Sequence, residues 1–392
     1  MWSNCKRATG FASARCCSRS SPTTGPAPKP SSSKPSRRSS PARAIARSCA
    51  RSSTTSASRC RRPRRRPRPS ASKKPARVRD VAGGMNAVYT TTITRAARAR
   101  GVRVAVLDPS QPIFELRHGR AAVRCYNALT DRTGAATFFL ANHKHAANRF
   151  LRRHGLPVPA QLKFSGFPAA EEFLNRHGSL VVKPCMQWGG RGVAVDVRTP
   201  AELRAAVRAA QRYEADIVIE QCVRGEDQRL IVVGGKYVAA IRRTPAVVRG
   251  DGRSNLLQLI RQKNRTARRE DSSHQIPLDA ETRRELARLG RRLDEVPRAG
   301  QRVQVRLTSN YHTGGDATVI TREVSLRLVR AAQRVTRLLN LPVAGVDFLV
   351  DHRRKVFWII EVSPDLAISP PEGAEVAEHF LDFLFPDSAR PG

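Results

Sequence analysis

The chain has 392 residues, with 71 Lys and Arg against 32 Asp and Glu, and a formal net charge of +39. That length admits two or three packed subdomains, and the charge invites a nucleic-acid reading. The charge is unevenly placed, however: 22 of the basic residues and one acid, Asp80, fall in residues 1–80, so more than half the excess sits in a fifth of the chain, and the other 312 residues hold 49 of the 71 basic and 31 of the 32 acidic residues.

That first fifth is Ser, Arg, Pro and Ala almost throughout, with runs such as Arg61-Arg62-Pro63-Arg64-Arg65-Arg66-Pro67. It cannot bury enough apolar area to offset its ordering entropy and is expected to be disordered. Three origins stay open for it: a mis-read start of a GC-rich gene, a basic tail touching nucleic acid or anionic surfaces, or an acid-poor targeting segment. Five of the eight cysteines, Cys5, Cys16, Cys17, Cys49 and Cys60, lie there. The remaining Cys125, Cys185 and Cys222 are widely spaced, with no Cys/His cluster of zinc spacing. Scattered thiols fit a reducing, cytoplasmic setting. No apolar run approaches the roughly 20 residues of a membrane span.

Order is expected from about residue 81. A helix is predicted over 87–100, ended by Gly101, then a buried strand over 102–107, a helix–strand unit of the kind found in α/β layers. A hairpin-like stretch follows at 113–123 and a helix at 144–154. Residues 180–184 read as a strand running into the turn Gly189-Gly190-Arg191-Gly192, with a return strand at 193–197. Thr199 and Glu202 predict a capping box opening a helix over 199–213. A strand is expected at 216–220 and a hairpin over 229–241 across Gly234-Gly235. Residues 249–300 read as charged, helical and peripheral. Strands at 303–307 and 318–321 flank the loop 310–315. A helix at 323–339, an antiparallel pair at 343–350 and 356–361, and a last helix at 375–384 complete the pattern.

Four groups of residues carry chemistry. Asp347 and Glu361 stand in two apolar strands, where ionised carboxylates are costly without a compensating positive charge. If the strands pair through the turn at 351–354 the carboxylates approach each other, and paired hard oxygens suit Mg²⁺ with nucleotide phosphates. A structural Arg beside each is the competing reading. The Gly-rich turn follows a strand carrying Lys183 and can present backbone N–H groups to phosphates. It is not a Walker loop, because no Gly-Lys-Ser/Thr opens a helix. The segment 220–227, with Glu220, Val223 and Asp227, can serve a base edge and a ribose, or be an ordinary connection. The segment 306–315, with Arg306, Asn310, His312 and Gly314-Gly315, holds the donors that stabilise oxyanions. His312 could act as a base, but a surface loop histidine is the commoner reading.

Jointly these segments resemble the ATP-grasp superfamily over about residues 85–386. Within it they are similar to cyanophycin-synthetase-like ligases, the ligase half of bifunctional glutathione synthetases, and N-acetylglutaminylglutamine synthetases. The carriers are Gly225-Glu226-Asp227-Gln228-Arg229-Leu230, Arg243-Thr244-Pro245-Ala246 through Gly250-Asp251-Gly252-Arg253, the Thr313-Gly314-Gly315 loop, and the ending Phe380-Leu381-Asp382-Phe383-Leu384-Phe385-Pro386. Met85-Asn86-Ala87-Val88-Tyr89, residues 101–108 and Leu129-Thr130-Asp131-Arg132-Thr133 look closest to the N-acetylglutaminylglutamine enzymes.

The resemblance implies an α/β (α+β) protein: an N-terminal α/β subdomain at 81–140, an ATP-grasp small subdomain at 141–225 and a catalytic subdomain at 226–388. It implies ATP and Mg²⁺ as cofactors. Lys144 and Lys183 would contact the nucleotide, and Gly189, Gly190 and Gly192 would close over the phosphates. Glu220 and Val223 would hold adenine, and Asp227 the ribose. Arg306 and Asn310 would face an acyl phosphate, and Asp347, Glu361 and Ser363 would form the metal positions. The expected reaction joins an amine to a carboxylate, with acylated glutamine and glutamine as the expected substrates. The expected partners are small amino-acid or acyl-amino-acid molecules and possibly a second copy of the chain, with no membrane, and nucleic acid only through the basic tail. Two departures stand out. The family has Glu-x-Asn where this chain has Glu361-Val362-Ser363, and Met186, Gln187 and Trp188 precede the glycines where small or acidic residues are usual. Reduced turnover, or nucleotide binding without turnover, is therefore the rival expectation.

Overall fold

A helix whose buried residues recur at Thr90, Ile93, Thr94 and Ala97 presents a single face to a core. This is α1 (Ala87–Ala99), the first element of the computed structural model, which describes residues 87–270, 274–366, 368 and 371–388. The chain divides into residues 1–73 and 74–392, and all described residues belong to the second unit. The disordered segment expected over 1–80 lies outside the described residues. Gly101, in the left-handed region, turns the chain into β1 (Arg103–Asp108), followed by β2 (Ile113–His118), β3 (Ala121–Tyr126) and β4 (Leu129–Thr130). These form one antiparallel meander in the order β1-β2-β3-β4. The helix–strand unit read from sequence thus leads into hairpins rather than a parallel layer, because connections this short permit only antiparallel neighbours.

Two helices come next, α2 (Ala135–Asn142), which the sequence reading did not expect, and α3 (Lys144–Arg153), close to the helix expected at 144–154. Then β5 (Gln161–Lys163), α4 (Phe167–His177), β6 (Leu180–Pro184), β7 (Ala194–Val197), α5 (Pro200–Gln211) and β8 (Ile217–Gln221) build a four-stranded antiparallel sheet, β5-β8-β6-β7. Leu174 of α4 and Leu203 and Val207 of α5 pack on Leu180, Val182 and Ile219 of this sheet. The capping box expected at α5 is present: Thr199 accepts from the Glu202 amide, and the Glu202 carboxylate accepts from the Thr199 amide.

The central sheet uses β9 (Glu226–Val233), β10 (Lys236–Thr244), β13 (Asp316–Val319), β14 (Val343–Asp351) and β15 (Val356–Ser363), in the order β13-β10-β9-β14-β15. Both of its faces are covered. Leu230 and Val232 point into the core beneath α8 (Leu326–Leu338), and Ile231 and Val233 into the core shared with α9 (Gly373–Leu384) and the first meander. A strand buried on both sides needs apolar residues without alternation, which is why Leu230-Ile231-Val232-Val233 runs unbroken. Arg100 ties α1 to α9 through Glu378 (3.2 Å), Asp382 (2.8 Å) and the Ser388 carbonyl (3.0 Å).

Between β10 and β13 the chain forms β11 (Val247–Arg249), α6 (Leu256–Glu270), α7 (Ala280–Arg288) and β12 (Arg302–Gln304) around a small core of Val248, Leu256, Ile260, Leu286 and Val303. The expectation of a peripheral segment needs correcting here. From α7, Arg284 and Arg288 donate to the carbonyls of Val195 and Asp196, and Arg288 pairs with the Asp196 carboxylate. The insertion therefore grips the rim of the second sheet. No helix among the described residues is long and apolar enough to cross a membrane.

Candidate active site

The β14–β15 hairpin registers Asp347 directly against Glu361, and β9 registers Arg229 against Asp347. Both pairings follow from side chains alternating along strands whose neighbours are fixed by the apolar core. Asp347 accepts from Arg229 through both oxygens (2.6 and 2.9 Å) and pairs with Arg243 (3.0 Å). Arg243 also holds Asp227 (2.7 Å). Burial alone would raise Asp347, but Arg229 and Arg243 outweigh it and hold this carboxyl below the ordinary range. Burial raises Asp227, opposed by Arg243 and reinforced by the Asp347 charge. Two acids and two arginines thus form one compensated network on the floor of a cavity of about 990 Å³ between the second and central sheets.

Lys183 of β6 lies opposite this floor, buried, with its ammonium 3.1 Å from the Glu220 carboxylate of β8. Gln161 of β5 donates to the same carboxylate. Lys144, at the start of α3, reaches across the cavity. It pairs with Glu361 (3.1 Å) and donates to the Gln187 carbonyl in the Gly-rich turn. A Cβ on Gly190 would sit 3.7 Å from the Asn310 amide nitrogen and from Thr313, so turn and loop meet over the cavity mouth. Trp188 at the tip of the turn is 58% exposed, with the Arg191 guanidinium 5.0 Å from its ring centroid.

Three comparisons bear on this arrangement. Residues 165–292 match the family model described as prokaryotic glutathione synthetase, ATP-grasp domain. The chain is 32% identical over 315 residues to cyanophycin synthetase of Trichormus variabilis, a match covering 76% of this chain and 35% of that protein. It is 28% identical to the glutathione biosynthesis bifunctional protein of Listeria innocua, covering 76% of this chain and 41% of that one. The crystal structure of a bifunctional glutathione synthetase from Pasteurella multocida superposes with a TM-score of 0.53 at 21% identity, over 76% of this chain and 43% of that one. The chain carries an ATP-grasp domain. It spans little more than a third of the length of the curated relatives it matches, 35% and 41% for the two named here.

In this ATP-grasp domain the cavity is lined by Lys144, Lys183, Gly189, Gly190, Glu220, Val223, Asp227, Asn310, Asp347, Glu361 and Ser363. Two residues singled out from the sequence are not among those that line it. Arg306 is 1% exposed and turned into the insertion, where it donates to Asp279 (2.6 Å) and Thr282 (2.9 Å). A guanidinium in apolar surroundings takes the nearest carboxylate and hydroxyl, and the insertion supplies both. Gly192 lies behind the turn, with Tyr213 and Pro184 at 2.9 and 3.1 Å from the position of a Cβ; its φ of +68° and this crowding make it a packing glycine.

Three residues that sequence reasoning passed over or only brushed belong to the site. Arg229 and Arg243 carry the charge balance. The signal was available in Asp227 and Arg229 at alternate positions of one strand, facing Arg243 and Asp347 across the ladder. Asp196 left no such signal. It adopts φ 61°, and Ser179, Arg198, Arg224 and Arg288, from four separate segments, bond its carboxylate.

Asp347 and Glu361 face each other, with the Ser363 hydroxyl two residues on accepting from Arg229 (3.2 Å). This hard-oxygen set suits Mg²⁺ delivered with nucleotide phosphates. It does not suit a site that holds the bare ion: both Asp347 oxygens already face guanidinium groups, and no group of three His, Cys, Asp or Glu among the described residues has metal-site geometry.

Proposed function

We propose that this chain is an ATP-dependent carboxylate–amine ligase that forms an amide through an acyl phosphate and releases ADP and phosphate. The observation that carries the reading is the polarity of one cleft. Lys144 and Lys183 face it from one side, and the Asp227–Arg243–Asp347–Arg229 network faces it from the other. Phosphoryl transfer asks a protein chiefly for positioning and charge neutralisation, and both are built in.

Lys183 and Lys144 bind the phosphates, each exchanging a carboxylate partner for a phosphate oxygen. The Gly189–Gly190 turn closes over the phosphates and keeps water from the acyl phosphate. Glu220 and Val223 receive the base, Asp227 the ribose, and Asn310 the developing oxyanion. Glu361 and Asp347, with Ser363 as a third oxygen, would hold Mg²⁺ arriving with the nucleotide, and the ion would supply charge neutralisation for the transferred phosphoryl group. Arg229 and Arg243 hold the carboxylates in register and take up the charge of the departing phosphate. The residue ranges 81–140, 141–225 and 226–388 serve as the substrate, lid and catalytic subdomains.

An acylated glutamine as carboxylate and glutamine as amine are the substrates we assign, on the resemblance of residues 101–108 and 129–133 to N-acetylglutaminylglutamine synthetases. Purified full-length protein, incubated with Mg·ATP and pools of acylated and free amino acids, is expected to release ADP only when both classes are present. Release that needs neither, or only one, overturns the reading. A second reading has its own motive: Ser363 stands in place of the family's Asn, and Asp347 is fully engaged by arginine. On that reading the domain binds nucleotide without turnover, and Ser363→Asn creates activity where there was none.

A further inference from the structure

The cavity lining carries Lys and Arg against Asp and Glu in nearly equal number, and most of them are paired with one another. One corner departs from this. Glu372, at the start of α9, is 6% exposed, makes no capping hydrogen bond, and has Oε2 shielded from water without a hydrogen-bond donor. Asn127, in the β3–β4 turn, is 7% exposed, and its Oδ1 is likewise buried and without a donor. It holds φ 52°, a conformation Asn tolerates better than most residues. Both residues line the same cavity, as does Asp365, which lies between Glu361 and Glu372 in the chain. Ala128, next to Asn127, belongs to the same hydrophobic core as Leu366 and Val376, which flank Glu372 in the chain.

Unmade hydrogen bonds at buried oxygens are costly, about 1–3 kcal/mol each and more for a charged group. Glu372 Oε2 and Asn127 Oδ1 are therefore two buried acceptors that a positively charged donor would satisfy, and Asp365 adds a further carboxylate to the same cavity lining. Burial raises Glu372, opposed by its own backbone amide and by Arg229 and Arg243 at a distance. That same Arg229 holds Asp347, so the corner borders the centre where a phosphoryl group would be transferred.

We infer that Glu372, Asp365 and Asn127 form the subsite for the amine substrate and receive the ammonium group of an amino acid. The inference rests on the ligase reading and deepens it: phosphate and carboxylate chemistry occupies the cationic wall, and the amine enters from the acidic corner. The arrangement selects a free primary ammonium over its acylated counterpart, which is the discrimination needed between an acylated donor and a free acceptor. Glu372 and Asn127 act on specificity, not on the phosphoryl step.

The test uses full-length protein with Mg·ATP and N-acetylglutamine, and either L-glutamine or hydroxylamine as nucleophile. Hydroxylamine is small and uncharged at neutral pH and needs no ammonium subsite. In Glu372→Gln the KM for glutamine is expected to rise about tenfold to a hundredfold, the scale of a lost charge-assisted hydrogen bond, while hydroxamate formation and the KM for ATP stay as in the unaltered protein. A glutamine KM within about twofold of the unaltered value, on that same scale, overturns the inference. If both nucleophiles fail together in Glu372→Gln, Asn127→Asp decides: added negative charge lowers the glutamine KM if the corner receives ammonium, and an unchanged or higher KM refutes it. A silent unaltered protein refutes the ligase reading separately. The subsite is then judged by calorimetric titration of glutamine in the presence of ADP, where binding lost in Glu372→Gln supports it and absence of binding to either protein overturns it.

Discussion

Lys183 and Glu220 pair across adjacent strands with side chains 6% and 3% exposed, at 3.1 Å. Removing one member of such a pair leaves an uncompensated buried charge and costs about 3–5 kcal/mol. Lys183→Met should fall toward the lower end, because Gln161 still donates to Glu220. In the double variant Lys183→Met, Glu220→Gln no charge remains, and stability should return to within about 1 kcal/mol of the unaltered protein, since a buried pair and its neutral replacement often come out even. Nucleotide binding should not return. A lysine–phosphate contact is worth about 1.5–3 kcal/mol, so both variants should bind ATP roughly tenfold to a hundredfold more weakly. Urea unfolding and calorimetric ATP titration on the same three proteins separate the two effects. Full ATP affinity in the double variant would refute the phosphate role of Lys183 and leave the pair a structural one. An undiminished stability in Lys183→Met would refute its burial.

Asp347→Asn should destabilise by about 3–5 kcal/mol, because it leaves Arg229 and Arg243 without their shared anion. Asp347 is held low, so its contribution is present above the unfolded carboxylate pKa of about 3.9 and is lost as pH falls through the lower folded value; that acid limb should shrink in the variant's unfolding profile. Asp227 is raised, so it takes up a proton sooner than an ordinary carboxylate as pH falls from neutrality. ATP affinity should weaken over that range and flatten in Asp227→Asn, which calorimetry at stepped pH can check. Gly225→Ala places a Cβ 2.7 Å from the Val350 backbone nitrogen; a loss of about 1–3 kcal/mol on urea unfolding is expected for such overpacking. Ser363→Asn supplies a longer oxygen ligand beside Glu361, and the Mg²⁺ concentration for half-maximal ADP release should fall.

Sequence periodicity located the elements that carry the site. The strand around Asp347 is buried on both faces, the strand around Glu361 alternates buried and half-buried residues, and the capping box at Thr199 and Glu202 is a local signal that needs no tertiary context. The helix over Phe167–His177 and the short strand Gln161–Lys163 escaped it. The helix carries Pro at its start and little acid in its first turn, and the strand is too short for alternation to register. Site residues on strands were legible because the ladder fixes their facing. Arg306 was misplaced because a guanidinium near a Gly-rich loop reads as an oxyanion donor, whereas Asp279, far away in sequence, claims it. Asp196, Asn127 and Glu372 were not legible at all. Their roles arise from segments that meet only in the folded chain, and nothing in their neighbouring residues marks them.

The central claim is the coupling of ATP hydrolysis to amide formation in this cleft. Full-length protein with Mg·ATP and N-acetylglutamine should release little ADP alone, and release should rise on adding glutamine, with one amide formed per ADP by mass spectrometry. ADP release independent of the amine, or ATP binding with no release under any pairing of acylated and free amino acids, contradicts the claim.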